Sequence, residues 1–268
     1  MTSKLDQICQ FLEQLAPSEL AESWDNVGLL VGDRTAEIER IMTCLTVTPA
    51  SAAEAIERGA NLIIAHHPLP FHALKRITTE TTAGRLLWEL IGRHIAIYSP
   101  HTSFDSAATG INQSLAEGLE LRTITPLIAA EEGNGTLGTG RWGRTDGKVL
   151  VRELAQRLAN FLHISHMHVV GRLDQTVHKV AVACGAAGEL LAAARAAECD
   201  ALVLGETNLH TCLEAEAVGI ALLLPGHYAS ERFAVERLAD SVQSAFAGLN
   251  VWASERESDP VQWLSWPV

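Results

Sequence analysis

Residues 61–71 read NLIIAHHPLPF. Leu62, Ile63, Ile64 and Ala65 form an unalternated apolar run of strand length, the pattern of a strand buried on both faces of a parallel sheet. Pro68 bars continuation into a helix or a sheet interior, so His66 and His67 fall where the strand leaves its sheet. The carboxyl edge of a parallel strand is where open α/β sheets place ligands. Successive strand residues point to opposite faces, yet a strand end that begins to turn can aim both imidazoles into one cavity. A pair of half-exposed loop histidines is the plain alternative.

Working outward, residues 41–48 read as a strand rich in β-branched residues, Pro49 and Ser51 open a helix to about residue 58, and Gly59 closes it. With the histidine strand this makes a βαβ unit and implies a right-handed crossover in a parallel sheet. Downstream, 81–93 has a helical pattern, 94–99 is another apolar strand, and Pro100, His101 and Asp105 follow before a helix expected over 107–119. Upstream, residues 1–15 form an amphipathic helix, Pro17 breaks it, and 27–31 is a short strand. Asp25 and Asn26, which precede that strand, read as turn formers with a structural role.

The block 124–147 loses periodicity and is glycine-rich, which predicts a domain transition near it. Its GTGRWG stretch, 138–143, lacks the Lys-Ser/Thr that closes a phosphate-cradling loop and reads as a turn and strand edge. Residues 149–161 form an amphipathic helix and 166–170 a strand. His163, His166 and His168 have no carboxylate close by in sequence, which disfavours them as a ligand set.

The 268 residues are 47% hydrophobic and 19% charged, suiting a globular protein of one or two domains with ample core. No apolar stretch reaches the roughly 18 residues of a membrane span, and no targeting signal is read, so a soluble cytoplasmic protein without membrane association is expected. The five cysteines are scattered and never in a CxxC pair, which argues for a reducing compartment and against a thiolate metal site. A net charge of -12, with no run among the 20 Lys and Arg, disfavours nucleic-acid binding.

The second half repeats this plan. Residues 177–184 read as a strand and 188–197 as a helix. Residues 199–206 (CDALVLGE) then parallel 60–67 (ANLIIAHH), so Gly205 and Glu206 stand where the histidine pair stood. A helix over 212–218 leads to a strand over 220–224, which parallels 95–99. The earlier strand is followed by Pro100, His101 and Asp105, the later one by Pro225, Gly226, His227 and Glu231. Each copy thus leaves a strand through a proline and presents His-x-x-x-carboxylate at a helix start, a spacing that puts both groups on one face.

The expected fold is therefore α/β: two similar α/β domains from an internal duplication, sheets flanked by helices, with a metal site in the cleft between them. The expected division is 1–125 plus 227–268, and 126–226. His66, His67, Asp105, His227 and Glu231 offer nitrogen and oxygen donors without sulfur, a mixture suited to Zn, Fe or Mn. Five donors exceed the need of one open catalytic ion, and two divalent ions per subunit use them better. His101 is either a ligand or a group that orients one. Asp105 and Glu231 also suit helix N-terminal charges, and Glu206 a capping or loop residue.

Four stretches carry a resemblance: SWDNVGLLVGD at 23–33, AHHPLPFHALKRIT at 65–78, HTSFDSAATGIN at 101–112 and GHYASERFAVERLA at 226–239. They resemble the Nif-three-like dinuclear metal proteins, the GTP cyclohydrolase type 2 homologues. The resemblance implies that His67 and Asp105 match the ligands of one metal, His66 and His227 those of the other, and Glu231 the bridge. It also implies two similar α/β domains and ring-shaped homohexamers. At 184–188 the chain departs from the family's glycine-rich turn, with Ala186 and Ala187 in place.

The function expected is a dinuclear-metal-dependent hydrolase of a small, nucleotide-like or phosphorylated substrate, using a metal-bridging hydroxide, with His101 as the catalytic proton carrier. GTP comes from the resemblance alone. The alternative is a non-catalytic metal-binding or ring-forming interaction protein.

Overall fold

A computed structural model describes residues 2–130, 135–264 and 266. The chain divides into two compact units, Met1–Phe104 with Ala234–Ser258, and Asp105–Phe233 with Asp259–Val268. The fold is mixed α/β, with sheets flanked by helices. Among the described residues no helix is long and apolar enough to cross a membrane.

In the first unit one sheet runs in the order Asn250–Ala253, Arg40–Cys44, Leu62–Ala65, Ala96–Ser99, Gly28–Val31. The first four strands are parallel; the last is antiparallel and pairs Gly28 with Ser99. The crossovers follow from local chemistry. Thr48 caps the Pro49–Glu57 helix by accepting from the Ser51 amide, and Thr81 caps Thr82–Gly92 by accepting from that of Gly84. Leu62, Ile63, Ile64 and Ala65 are fully buried, as a strand covered on both faces requires. Met42, Ile63 and Ile97 pack with Leu86, Leu90 and Trp252 in one core cluster.

The edge strand is fastened by Glu54, buried on the Pro49–Glu57 helix. Its carboxylate accepts from Trp252 Nε1 at 3.1 Å, from Ser254 Oγ at 2.7 Å and from the backbone amides of Glu255 and Arg256.

In the second unit the order is His168–Val170, Ala221–Leu224, Ala201–Val203, Thr176–Val182, Arg141–Leu150, Arg122–Thr125. Thr176–Val182, Ala201–Val203 and Ala221–Leu224 are parallel, and the other three pair antiparallel. Ala181, Leu202 and Leu222 meet Leu190, Leu191 and Ala215 in its core.

Two expectations are made more definite here. The stretch 138–143, read as a turn and strand edge, runs into the ten-residue strand Arg141–Leu150, which is interior to the second sheet. Gly143 belongs to that strand because a Cβ there would stand 2.9 Å from Leu121 Cβ, so close backbone approach, not a loop, explains it. Residues 131–134 of the glycine-rich block lie outside the described residues. The single helix expected over 107–119 is instead two, His101–Ser106 and Ile111–Gly118, with Gly110 at the N-cap of the second. The rings of His166 and His168 pack on Trp263, with centroids 5.6 and 4.8 Å away.

Replacing Glu54 by Ala leaves Trp252 Nε1 and two amides without their acceptor. The expected cost is about 3 kcal/mol, read as a lowered urea midpoint with an unchanged slope.

Candidate metal centre

In the first unit the candidate groups gather at one edge of the sheet because of strand direction. Arg40–Cys44, Leu62–Ala65 and Ala96–Ser99 run parallel, so Thr46, His66, His67 and His101 all follow carboxyl ends. The antiparallel strand Gly28–Val31 begins where Ala96–Ser99 ends, which brings Asp25 to the same edge. His66 and His101 are buried and His67 is half-buried. Their ring centroids are 5.1, 5.2 and 5.5 Å apart, and one ring nitrogen from each lies within 4.8 Å of the others.

Two of the rings, those of His67 and His101, are held from behind. His67 Nδ1 is 2.7 Å from Thr46 Oγ1. His101 Nδ1 is 2.7 Å from Asp25 Oδ1, in a pair whose side chains are 11% and 1% exposed. The Thr102 amide and hydroxyl donate to the other Asp25 oxygen. Burial by itself raises the Asp25 carboxyl, but hydrogen bonds from His101 and Thr102, and the charge of His101 when protonated, outweigh it and hold the group at about 2. His101 has φ +25, a backbone region that non-glycine residues rarely adopt. Exposed rings of Trp24 and Phe71 flank it, each with its centroid 6.0 Å from the imidazole.

In the second unit, His227 and Glu231 lie one turn apart at the start of the helix His227–Ala245. His227 Nε2 is 3.2 Å from Glu231 Oε2, and Nδ1 is 3.0 Å from Glu206 Oε1. The hydrogen bond to Glu231 raises His227 to about 9, against the opposing effect of burial and with help from Glu206. Asp105 and Glu231 both act on Cys184. Burial first, and then these two charges, lift its thiol well above the ordinary value. Gly185, with φ +62, has no room for a side chain: a Cβ would sit 2.5 Å from Glu231 Oε1.

His66, His67 and His101 are thus together in the first unit, and Asp105, His227 and Glu231 belong to the second. The donors fit a divalent cation. Three clustered imidazoles are nitrogen ligands when neutral, and the carboxylates of Glu206 and Glu231 beside His227 show that the second unit favours positive charge there. Sequence reading missed Asp25, taken as a turn former. Its signal was the pairing of the strand it precedes, which only the sheet order reveals. Glu206, read as a capping or loop residue, lies in the loop after Ala201–Val203 and also holds the far nitrogen of His227.

An α/β chain with a histidine and carboxylate donor set of this kind has relatives. The sequence matches the Duf34/NIF3 (NGG1p interacting factor 3) family over residues 3–260, and the chain belongs to that family. It is 31% identical over 264 residues to a Clostridium acetobutylicum protein named GTP cyclohydrolase 1 type 2 homolog, covering 97% of this chain and 98% of that one. NIF3-like protein 1 of Drosophila melanogaster is 32% identical over 266 residues, covering 96% of this chain and 88% of its own. The crystal structure of a Bacillus cereus protein related to NIF3 superposes with a TM-score of 0.89 at 23% identity, covering 98% of this chain and 100% of that chain, a likeness of fold.

Asp25 sets an acid limit. Its folded pKa is below the unfolded one, so its contribution is complete above the unfolded value near 3.8 and is lost as pH falls through about 2. Asp25→Asn is expected to cost about 2 kcal/mol at neutral pH. In urea titrations at a series of pH values, the gap between variant and wild type should close between about pH 4 and pH 2.

Proposed function

We propose that this protein is a metal-dependent hydrolase of a small nucleotide-like or phosphorylated substrate, with two divalent ions held by His66, His67, Asp105, His227 and Glu231. The observation that carries the reading is the set of three imidazoles with ring nitrogens within 4.8 Å of one another. Neutral, His66 and His67 are nitrogen donors for cations, and His101 stands close enough beside them to exchange a proton with what those cations bind. Asp105 and Glu231 supply anionic oxygens, and the absence of a thiolate favours Zn, Fe or Mn. An internal duplication is supported by topology. Each unit contains a run of three parallel strands consecutive in the sheet, Arg40–Cys44, Leu62–Ala65 and Ala96–Ser99 in the first and Thr176–Val182, Ala201–Val203 and Ala221–Leu224 in the second, and the chain leaves the third of each run through proline to a histidine that opens a helix.

Divalent ions, when bound at these donors, would supply hydrolytic chemistry, lowering the pKa of water towards neutrality and polarising the bond to be broken. The protein's own groups do the rest. Asp25 fixes Nδ1 of His101, so Nε2 is the nitrogen that takes a proton from the reacting centre and returns it. Glu206 orients His227 by its second nitrogen, as carboxylates do for ligating histidines. Trp24 and Phe71 offer apolar faces beside His101 on which a planar ring can stack. The name of the Clostridium acetobutylicum relative makes GTP the first substrate to try.

A second reading, a metal-binding or ring-forming interaction protein without turnover, is favoured by the tail. Val261, Leu264 and Trp266 are 71%, 73% and 76% exposed, an apolar surface that a homo-oligomer would cover. Chain truncated after Asp259 should then elute as a smaller species on sizing.

Protein stripped with chelator and reloaded with Zn, Mn or Fe is to be assayed against GTP and a panel of phosphoesters. Turnover in at least one metal form is expected, and Glu231→Gln should lose it by roughly 100-fold while remaining folded. Inactivity of every metal form, with metal bound, would sink the hydrolase reading in favour of the second.

A further inference from the structure

The GTGRWG segment, set aside as a phosphate loop, builds something else. Arg141 is fully buried, with 0% of its surface exposed. Its Nε donates to Gln113 Oε1 at 3.0 Å and Nη1 to the carbonyls of Gly138 and Gly140, both at 2.7 Å. Nη2 faces the carbonyls of Ala107 at 2.6 Å, Ser106 at 3.1 Å and Thr136 at 3.3 Å. All six acceptors are neutral, so the charge is solvated by dipoles in place of a counter-ion. Desolvation lowers the guanidinium to about 10.

The glycines make the socket possible. A Cβ on Gly138 would lie 2.1 Å from the Ile128 carbonyl oxygen, and Gly140 has φ +61. Two of the six acceptors, the Ser106 and Ala107 carbonyls, come directly after Asp105 in the chain. Arg141 itself is in register with Val182, two residues before Cys184. A second tie lies alongside, where the Cys184 amide donates to Asn112 Oδ1 at 2.7 Å. The backbone next to Asp105 is therefore pinned to the strand end that carries Cys184 and Gly185, against which Glu231 sits.

We infer that Arg141 is a positioning residue for Asp105, holding its carboxylate where a metal ion is to be bound without touching that ion. The inference rests on the reading of Asp105 as a metal ligand. Five N–H groups in a rigid fork span acceptors that no single ammonium can reach, so lysine is not a conservative replacement.

The test is titration of chelator-treated, full-length protein with Mn²⁺ by calorimetry, at a temperature where circular dichroism shows each variant folded. Asp105→Asn and Arg141→Lys are both expected to weaken binding, Arg141→Lys by about 10- to 100-fold, and Gln113→Leu by less. If Asp105→Asn binds Mn²⁺ as the wild type does, the reading of Asp105 as a ligand fails and this inference with it. If Asp105→Asn weakens binding but folded Arg141→Lys keeps wild-type affinity, even with a lower melting temperature, Arg141 serves the fold alone and the positioning role is overturned. Should Arg141→Lys not fold, Gln113→Leu decides: weaker binding supports the role, and unchanged affinity overturns it.

Discussion

The parallel ladder between Arg40–Cys44 and Leu62–Ala65 does not stop where the strands do. The His66 amide still donates to the Cys44 carbonyl at 2.9 Å, and the His67 amide to that of Leu45 at 2.8 Å. On the other side Ser99 Oγ donates to the His66 carbonyl at 2.6 Å. Two residues that have left the sheet in direction are thus still part of it in hydrogen bonding, which gives their side chains a fixed exit. Thr46, Asp25 and His101 reach the same edge because their strands are in register with that one. A slip of one residue would turn every one of these side chains to the wrong face.

The two units divide the electrostatic labour differently. The first gathers imidazoles and gives His101 a carboxylate partner shielded from water. The second gathers the carboxylates of Glu206 and Glu231 around the imidazole of His227, which they bias towards its charged form. An uncompensated buried charge is costly. In the second unit the one deeply buried guanidinium described, that of Arg141, is met by carbonyl dipoles, so the carboxylates near Cys184 are not neutralised by it.

Much of this was legible in the amino-acid sequence. Leu62 to Ala65 is too uniformly apolar for a half-exposed strand, and Pro68 marks where it must end, so the position of His66 and His67 followed from local rules. The helix starts at Pro49 and Thr81 were equally local. What was not legible depended on contacts between distant segments. The strand Arg141–Leu150 carries two glycines, polar residues and a fragmentary alternation, and its place in the sheet is decided by Thr176–Val182 and Arg122–Thr125 on either side. Asp25 lies 76 residues from His101. Nothing in its own neighbourhood separates it from an ordinary turn aspartate. Glu206 likewise shows its role only through His227, 21 residues on.

Cys184 bears on durability. Only a thiolate reacts quickly with peroxide or an electrophile, and the two carboxylates that face this sulfur, together with its burial, keep the proton on it. Burial and the negative charges that suit this place to cations therefore both work against ionisation of the Cys184 thiol. The backbone that Asp105 and Glu231 lean on thus carries a sulfur placed to pack and not to react.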